Sequence, residues 1–199
     1  MRQHFILGTT AVFAGVLMSL GVASAMEHEG AKAKNPDKHF LKEAAQGGKA
    51  EVLLGQMAAK QAASEDVKKF GQRMVDDHAK ANEELKRLAD SEGVTLPPQL
   101  GNKAKAVQQR LARLSGAEFD RAYMEEMVKD HQKDVAAFER EAQHGNDANL
   151  KNWAAQTLPT LKEHLDLAQS TAEKVGAKVS ATDGSSEKKK AMDRSAQRE

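Results

Sequence analysis

Three histidines and one glutamate stand in this chain where amphipathic helices would place buried side chains. Met74-Val75-Asp76-Asp77-His78 returns with one substitution as Met127-Val128-Lys129-Asp130-His131, and Leu161-Lys162-Glu163-His164 is a looser echo. Each ends in an acid followed by a histidine. Imidazole nitrogens joined by a carboxylate make a donor set suited to Zn, Fe or Mn. Glu51, His78, His131 and His164 are therefore the candidate ligands of one metal ion. Met74 and Met127, each four residues ahead of a histidine, add copper as the less favoured metal, because methionines at helical spacing usually fill core gaps.

Helix geometry decides which side chains can meet. Buried positions recur three and four residues apart. Val67, Phe70, Met74, His78, Ala81, Leu85 and Leu88 follow that spacing, as do Met124, Met127 or Val128, His131, Val135, Phe138 and Ala142. Leu150, Ala154, Thr157, Leu161, His164, Ala168 and Thr171 alternate strictly, and Phe40, Ala44, Gly47, Glu51, Leu54 and Ala58 form a fourth stripe. Four helices thus each carry one metal-competent group on an apolar face. An unpaired buried polar group costs roughly 1–3 kcal/mol, so the four must satisfy one another, reach water or hold an ion. The acid before each histidine points about 100° away from it and cannot chelate beside it. Asp77, Asp130 and Glu163 are instead candidates to accept hydrogen bonds from histidines of neighbouring helices, behind the ligands. In the competing reading these acids are solvated flanks and the histidines form a polar core network that sets helix register.

Composition narrows the alternatives. The 199 residues are 40% hydrophobic and 4% aromatic, with Lys+Arg of 30 against Asp+Glu of 29, which leaves no global charge for nucleic acid or a membrane surface to act on. With no cysteine, disulfides, thiolate metal sites and a lipidated leader are excluded. Residues 1–25 read as a secretory signal: Arg2, an apolar run from Phe5 to Val22, then Ala23-Ser24-Ala25 before Met26. Cleavage after Ala25 places the mature chain in the periplasm or outside the cell, without stable membrane insertion. Protein partners stay open.

Along the mature chain, 26–36 is a flexible polar segment, 37–176 a helical domain, and 177–199 a Ser- and Lys-rich disordered tail. Helices are expected over 37–62, from a Ser64 cap to Gly93, and from a capping box at Ser115-Gly116-Ala117-Glu118 to His144. The last runs from an Asn146 or Asp147 cap to Val175, with a kink at Pro159. The Pro97-Pro98 loop precedes a short helix over 103–114. Short, long and short connections make an all-α, ferritin-like four-helix bundle with one long connection carrying a short helix. His28, His39 and His144 read as surface residues.

Several motifs in order carry a resemblance. Phe40-Leu41 with Gly47-Gly48 and Glu51, Met74-Val75-Asp76-Asp77-His78, Leu114-Ser115-Gly116 to Phe119-Asp120 with Tyr123, Asp130-His131-Gln132, and Thr157-Leu158-Pro159 to Glu163-His164-Leu165 are the residues concerned. Over Phe40 to Gly176 the chain resembles a large bacterial family of exported ferritin-like helical proteins catalogued as a domain of unknown function. The resemblance implies a ferritin-like bundle and no assigned activity. Ferritin-like di-iron centres need Glu-x-x-His on two helices. Here Val75, Val128 and Leu161 stand three residues before the histidines, which counts against di-iron oxidase or iron-storage chemistry. No nucleophile elbow, phosphate loop or paired-carboxylate motif appears, and no catalytic residues are assigned. The chain reads as an exported metal-binding bundle; the alternative is a non-catalytic envelope or stress-related interaction protein.

Overall fold

Asn35 opens the first helix by accepting the backbone N–H groups of Asp37 (3.0 Å) and Lys38 (3.3 Å), and Pro36 supplies a first-turn residue with helical φ already set. The computed structural model describes residues 35–179. Residues 1–34 and 180–199, where the leader, most of the flexible segment and most of the tail are expected, lie outside the described residues. Five helices follow one another: α1 (Pro36–Gln61), α2 (Glu65–Ser91), α3 (Asn102–Leu111), α4 (Gly116–His144) and α5 (Ala148–Lys174). No strand occurs among the described residues. The four long helices form a bundle, and the short α3 sits in the one long connection.

The chain leaves helices where glycine permits a left-handed backbone: Gly93 has φ 62° and Gly176 φ 69°. Two expected caps take another form. Ser115 makes no side-chain cap bond, because the chain enters α4 through Gly116 at φ 57°, and the capping box with Glu118 is not formed. Ser64 caps nothing with its hydroxyl either. Its backbone N–H and that of Ala63 donate to Asp120 of α4, at 2.8 and 3.0 Å. At the other turn the relation is reciprocal: Asp37 of α1 accepts Asn146 N (3.0 Å) and Asp147 N (2.7 Å) between α4 and α5. Asp147, of the two residues considered, caps α5 by accepting Leu150 N at 2.7 Å. Helix α5 runs unbroken through Pro159. Beyond Gly176, Ala177 and Val179 still pack against the bundle and Lys178 N donates to Glu125 at 2.9 Å.

Packing is most extensive within two antiparallel pairs, α1 on α2 and α4 on α5; the α1–α4 and α2–α5 seams are lighter. Gly55 and Gly71 let α1 and α2 approach backbone to backbone. A Cβ on Gly71 would lie 2.7 Å from Ala58 Cβ and 2.8 Å from the Gly55 carbonyl oxygen. Two apolar clusters fill the interior. One gathers Leu54, Phe70, Met74, Tyr123, Met127 and Ala168; the other Phe40, Leu85, Phe138, Trp153 and Leu161. On every long helix the change from one cluster to the other falls at the polar residue singled out by its stripe.

Gly71→Ala should lower stability by roughly 1–3 kcal/mol through overpacking at the α1–α2 crossing. Asp120→Ala should cost a similar amount by leaving two turn N–H groups unpaired. Urea titration of each variant checks both, and wild-type midpoints would contradict the packing described.

Candidate metal centre

Glu51 of α1, His78 of α2, His131 of α4 and His164 of α5 form one polar layer between the two apolar clusters, with 1%, 6%, 0% and 1% of their surfaces exposed. The three rings enclose a triangle. Centroids of His78 and His131 are 5.9 Å apart, those of His78 and His164 5.4 Å, and those of His131 and His164 5.4 Å. One ring nitrogen from each histidine falls within 4.8 Å of the others.

The partners of the remaining nitrogens set the tautomers. His131 Nδ1 is 2.9 Å from the Met127 carbonyl, which can only accept, so Nδ1 carries the proton and Nε2 presents a lone pair. That Nε2 lies 3.4 Å from Glu51 Oε1, acceptor against acceptor. His164 Nε2 donates to Asp77 Oδ2 at 2.8 Å, which leaves Nδ1 free to face inward. His78 Nδ1 is 2.9 Å from Glu51 Oε2, close but poorly aligned for a hydrogen bond. The consequence is a concentration of orphans. Glu51 Oε1 and Oε2, His78 Nε2, His131 Nε2 and His164 Nδ1 are all buried without a hydrogen-bond partner. Buried polar atoms are rarely left so, and here five share one layer.

Electrostatics follow from the same contacts. Burial opposes the Glu51 charge, but His78, His131 and His164 around it hold the carboxyl down at about 2. Burial works against charging His78 as well, yet the Glu51 carboxylate raises it overall. His164 is pushed down to about 4 by burial and by the neighbouring imidazoles, against the pull of Asp77. Asp77 is lowered in spite of burial by its bonds to His164 and Arg73.

The three flanking acids part company. Asp77 stands behind His164, in the position expected of it. Asp130 faces α3 and pairs with Lys103 at 3.0 Å. Glu163 is exposed and pairs with Arg73 Nη2 at 2.8 Å, while Arg73 Nε reaches Asp77 at 3.2 Å. Glu163 therefore touches a histidine only through Arg73 and Asp77, and Asp130 none at all, since its helical neighbour His131 points elsewhere. Met74 and Met127 lie within the first apolar cluster. His39 is exposed and His144 sits in the last turn of α4, as surface residues would.

Two residues beside the histidine layer escaped the sequence reading. Arg73 is four residues before Asp77, the spacing of a helical ion pair. Asp134, three residues after His131, is half-buried; burial and the nearby Glu51 charge push its carboxyl well above the usual range. With Glu51, Asp77, His78 and His164 it lines a cavity of about 40 Å³, room for a water or an ion. The arrangement can hold a metal: three convergent nitrogens, with carboxylates against the rings. Their 4.8 Å spread exceeds the ~3.3 Å expected for nitrogens tetrahedrally placed about 2.0–2.1 Å from zinc, so the rings would close by about 1 Å.

Comparison with known proteins places this centre in context. No curated protein matches the chain significantly. Among solved structures, a presumed secreted DUF305 protein from Streptomyces coelicolor superposes with a TM-score of 0.62 at 14% identity, over 74% of this chain and 98% of that one. At that identity the likeness shows a common helical-bundle fold. No described helix is long and apolar enough to cross a membrane. Residues 22–171 match the family described as Domain of unknown function (DUF4142), and the chain belongs to that family.

Proposed function

We propose that this is an exported metal-binding protein that holds one divalent cation between His78, His131 and His164 inside the bundle. The observation that carries this reading is the set of five buried, unpartnered acceptor atoms converging on one layer. A proton can satisfy one pair of them; a cation can satisfy the histidine nitrogens together. Each histidine has its second nitrogen set against an oxygen: Glu51 behind His78, the Met127 carbonyl behind His131, Asp77 behind His164. Such partners fix ring orientation and raise ligand basicity. Charge also balances, because Arg73 and Glu163 offset one another and leave Glu51 and Asp77 to match a dication. Glu51 is the further candidate ligand, 3.4 Å from His131 Nε2. Zn, Fe or Mn suits imidazole with carboxylate, and copper is less favoured.

Export rests on the leader-like residues 1–25 and accords with the presumed secretion of the DUF305 protein. Delivery to the periplasm or outside, with cleavage after Ala25, belongs to the same proposal. So does the ferritin-like character of the bundle. The second reading, an ion-free polar network in a non-catalytic envelope or stress-related protein, is favoured by one contact, the 2.9 Å approach of His78 to Glu51.

Untagged protein should take up one equivalent of metal. At free metal near a hundred times Kd the gain is about 2.7 kcal/mol, or roughly 5–10 °C in melting temperature. His78→Ala, His131→Ala and His164→Ala should each abolish stoichiometric uptake and the shift. Elemental analysis with melting curves in metal and in chelator checks this, and an unshifted wild type favours the polar network.

The metal-induced shift should also shrink as pH falls from 7.5 to 5, because protons compete for the same nitrogens. In the metal-free protein, His164 stays neutral to about 4 when folded but takes a proton near its ordinary 6.5 when unfolded. Its contribution is therefore lost as pH falls across that interval, by on the order of 1–3 kcal/mol. Glu51, held near 2, adds further acid loss below its ordinary 4.5. Urea titrations at pH 7.5 and 4.5 should show the loss in wild type and a smaller one in His164→Leu.

A further inference from the structure

The small cavity at the histidines has a larger neighbour. A groove of about 330 Å³ lies along the lighter α1–α4 seam, with Lys103, Ala104 and Val107 of α3 on its wall. Three residues line both spaces: Ala44, Asp134 and Phe138. Two of them are apolar and offer nothing to a cation shedding water. We propose that Asp134 is the port residue past whose carboxyl group a divalent cation moves from this groove to the three histidines, a role that rests on the metal-binding reading above.

Several features support that role. Asp134 is on the same face of α4 as His131, one turn further along. It makes no hydrogen bond or ion pair among the described residues. Of the other acids on the groove wall, Asp130 and Glu126 are matched by Lys103 and Glu43 by Lys133; Glu141 is unpaired as well, but it lines the groove and not the histidine cavity. Opposite Asp134 stands Gly47, where a Cβ would already be in van der Waals contact, 3.9 Å from Asp134 Oδ2, so a larger side chain there would fill the approach to Asp134. Both light seams carry an ion pair, Glu43–Lys133 across α1–α4 and Arg73–Glu163 across α2–α5, and the groove lies along the first. A carboxyl oxygen at a constriction can replace the water oxygens that a cation gives up, and dehydration in an apolar passage is otherwise costly. The geometry thus separates holding the ion, by the histidines, from admitting it.

That separation predicts a kinetic signature. Stopped-flow mixing of metal-free full-length protein with Co(II), followed by its ligand-field absorption, measures uptake; mixing the loaded protein with chelator measures release. Asp134→Asn and Gly47→Leu, the second plugging the passage without touching a charge, should each slow uptake and release by a similar factor of about five or more. Stoichiometry and equilibrium Kd should stay at wild-type values. Wild-type rates in both variants would overturn the port. So would loss of stoichiometric binding in Asp134→Asn, which would make Asp134 a ligand instead. If wild-type protein binds no Co(II), the metal-binding reading fails and the port with it, an outcome distinct from altered rates at full occupancy.

Discussion

A carboxylate with both oxygens buried and no well-aligned donor is the constraint around which this bundle is arranged. Glu51 cannot ionise in an apolar interior without positive charge close by, and its carboxyl is nevertheless held ionised down to about 2. Three imidazoles surround it, one from each remaining long helix. They cannot meet its need as neutral rings: His131 spends its proton on the Met127 carbonyl and His164 spends its own on Asp77. His78 alone leans toward Glu51. Either His78 carries a proton for the whole layer or a cation sits among the rings. Both solutions draw four helices to one level, which explains why the apolar core divides there into two clusters.

The scaffold holds that layer with little packing at the seams that border it. Two helical pairs are each tight internally, and each pins the other's turn through one aspartate, Asp37 to the α4–α5 turn and Asp120 to the α1–α2 turn. Charge-assisted bonds at the bundle ends position the pairs, so the middle is spared the need for close apolar contact between them. Lighter seams are where cavities can lie, and the histidine layer is flanked by one small cavity and one groove. Gly47 falls on the α4 side of α1, whereas Gly48 and Gly55 meet α2, the first against Asn82 and the second against Gly71.

Much of this was legible in the residue spacing. Periods of three and four placed Glu51, His78, His131 and His164 on buried faces, because helical geometry leaves little freedom once the apolar positions are known. The acids were harder, since a residue beside a buried histidine can turn toward either neighbour. Asp77 reaches His164, whereas Asp130 meets Lys103 from α3, an element whose docking no periodicity specifies. Ser64 and Ser115 stand at helix starts as expected but make no side-chain caps, for tertiary reasons: Asp120 binds the first turn and a left-handed Gly116 redirects the second. Asp134 was not singled out because its neighbours, Glu51 and a glycine, come from a helix more than eighty residues earlier.

The central claim, that one cation is bound by three imidazoles within the bundle, is tested most directly by X-ray absorption at the metal edge of untagged, stoichiometrically loaded protein. The account predicts a first shell with about three nitrogen neighbours near 2.0–2.1 Å for zinc, with the multiple scattering typical of imidazole, and its loss in His131→Ala. A shell of oxygen neighbours alone, unchanged in that variant, would contradict it and return the histidines to a purely structural role.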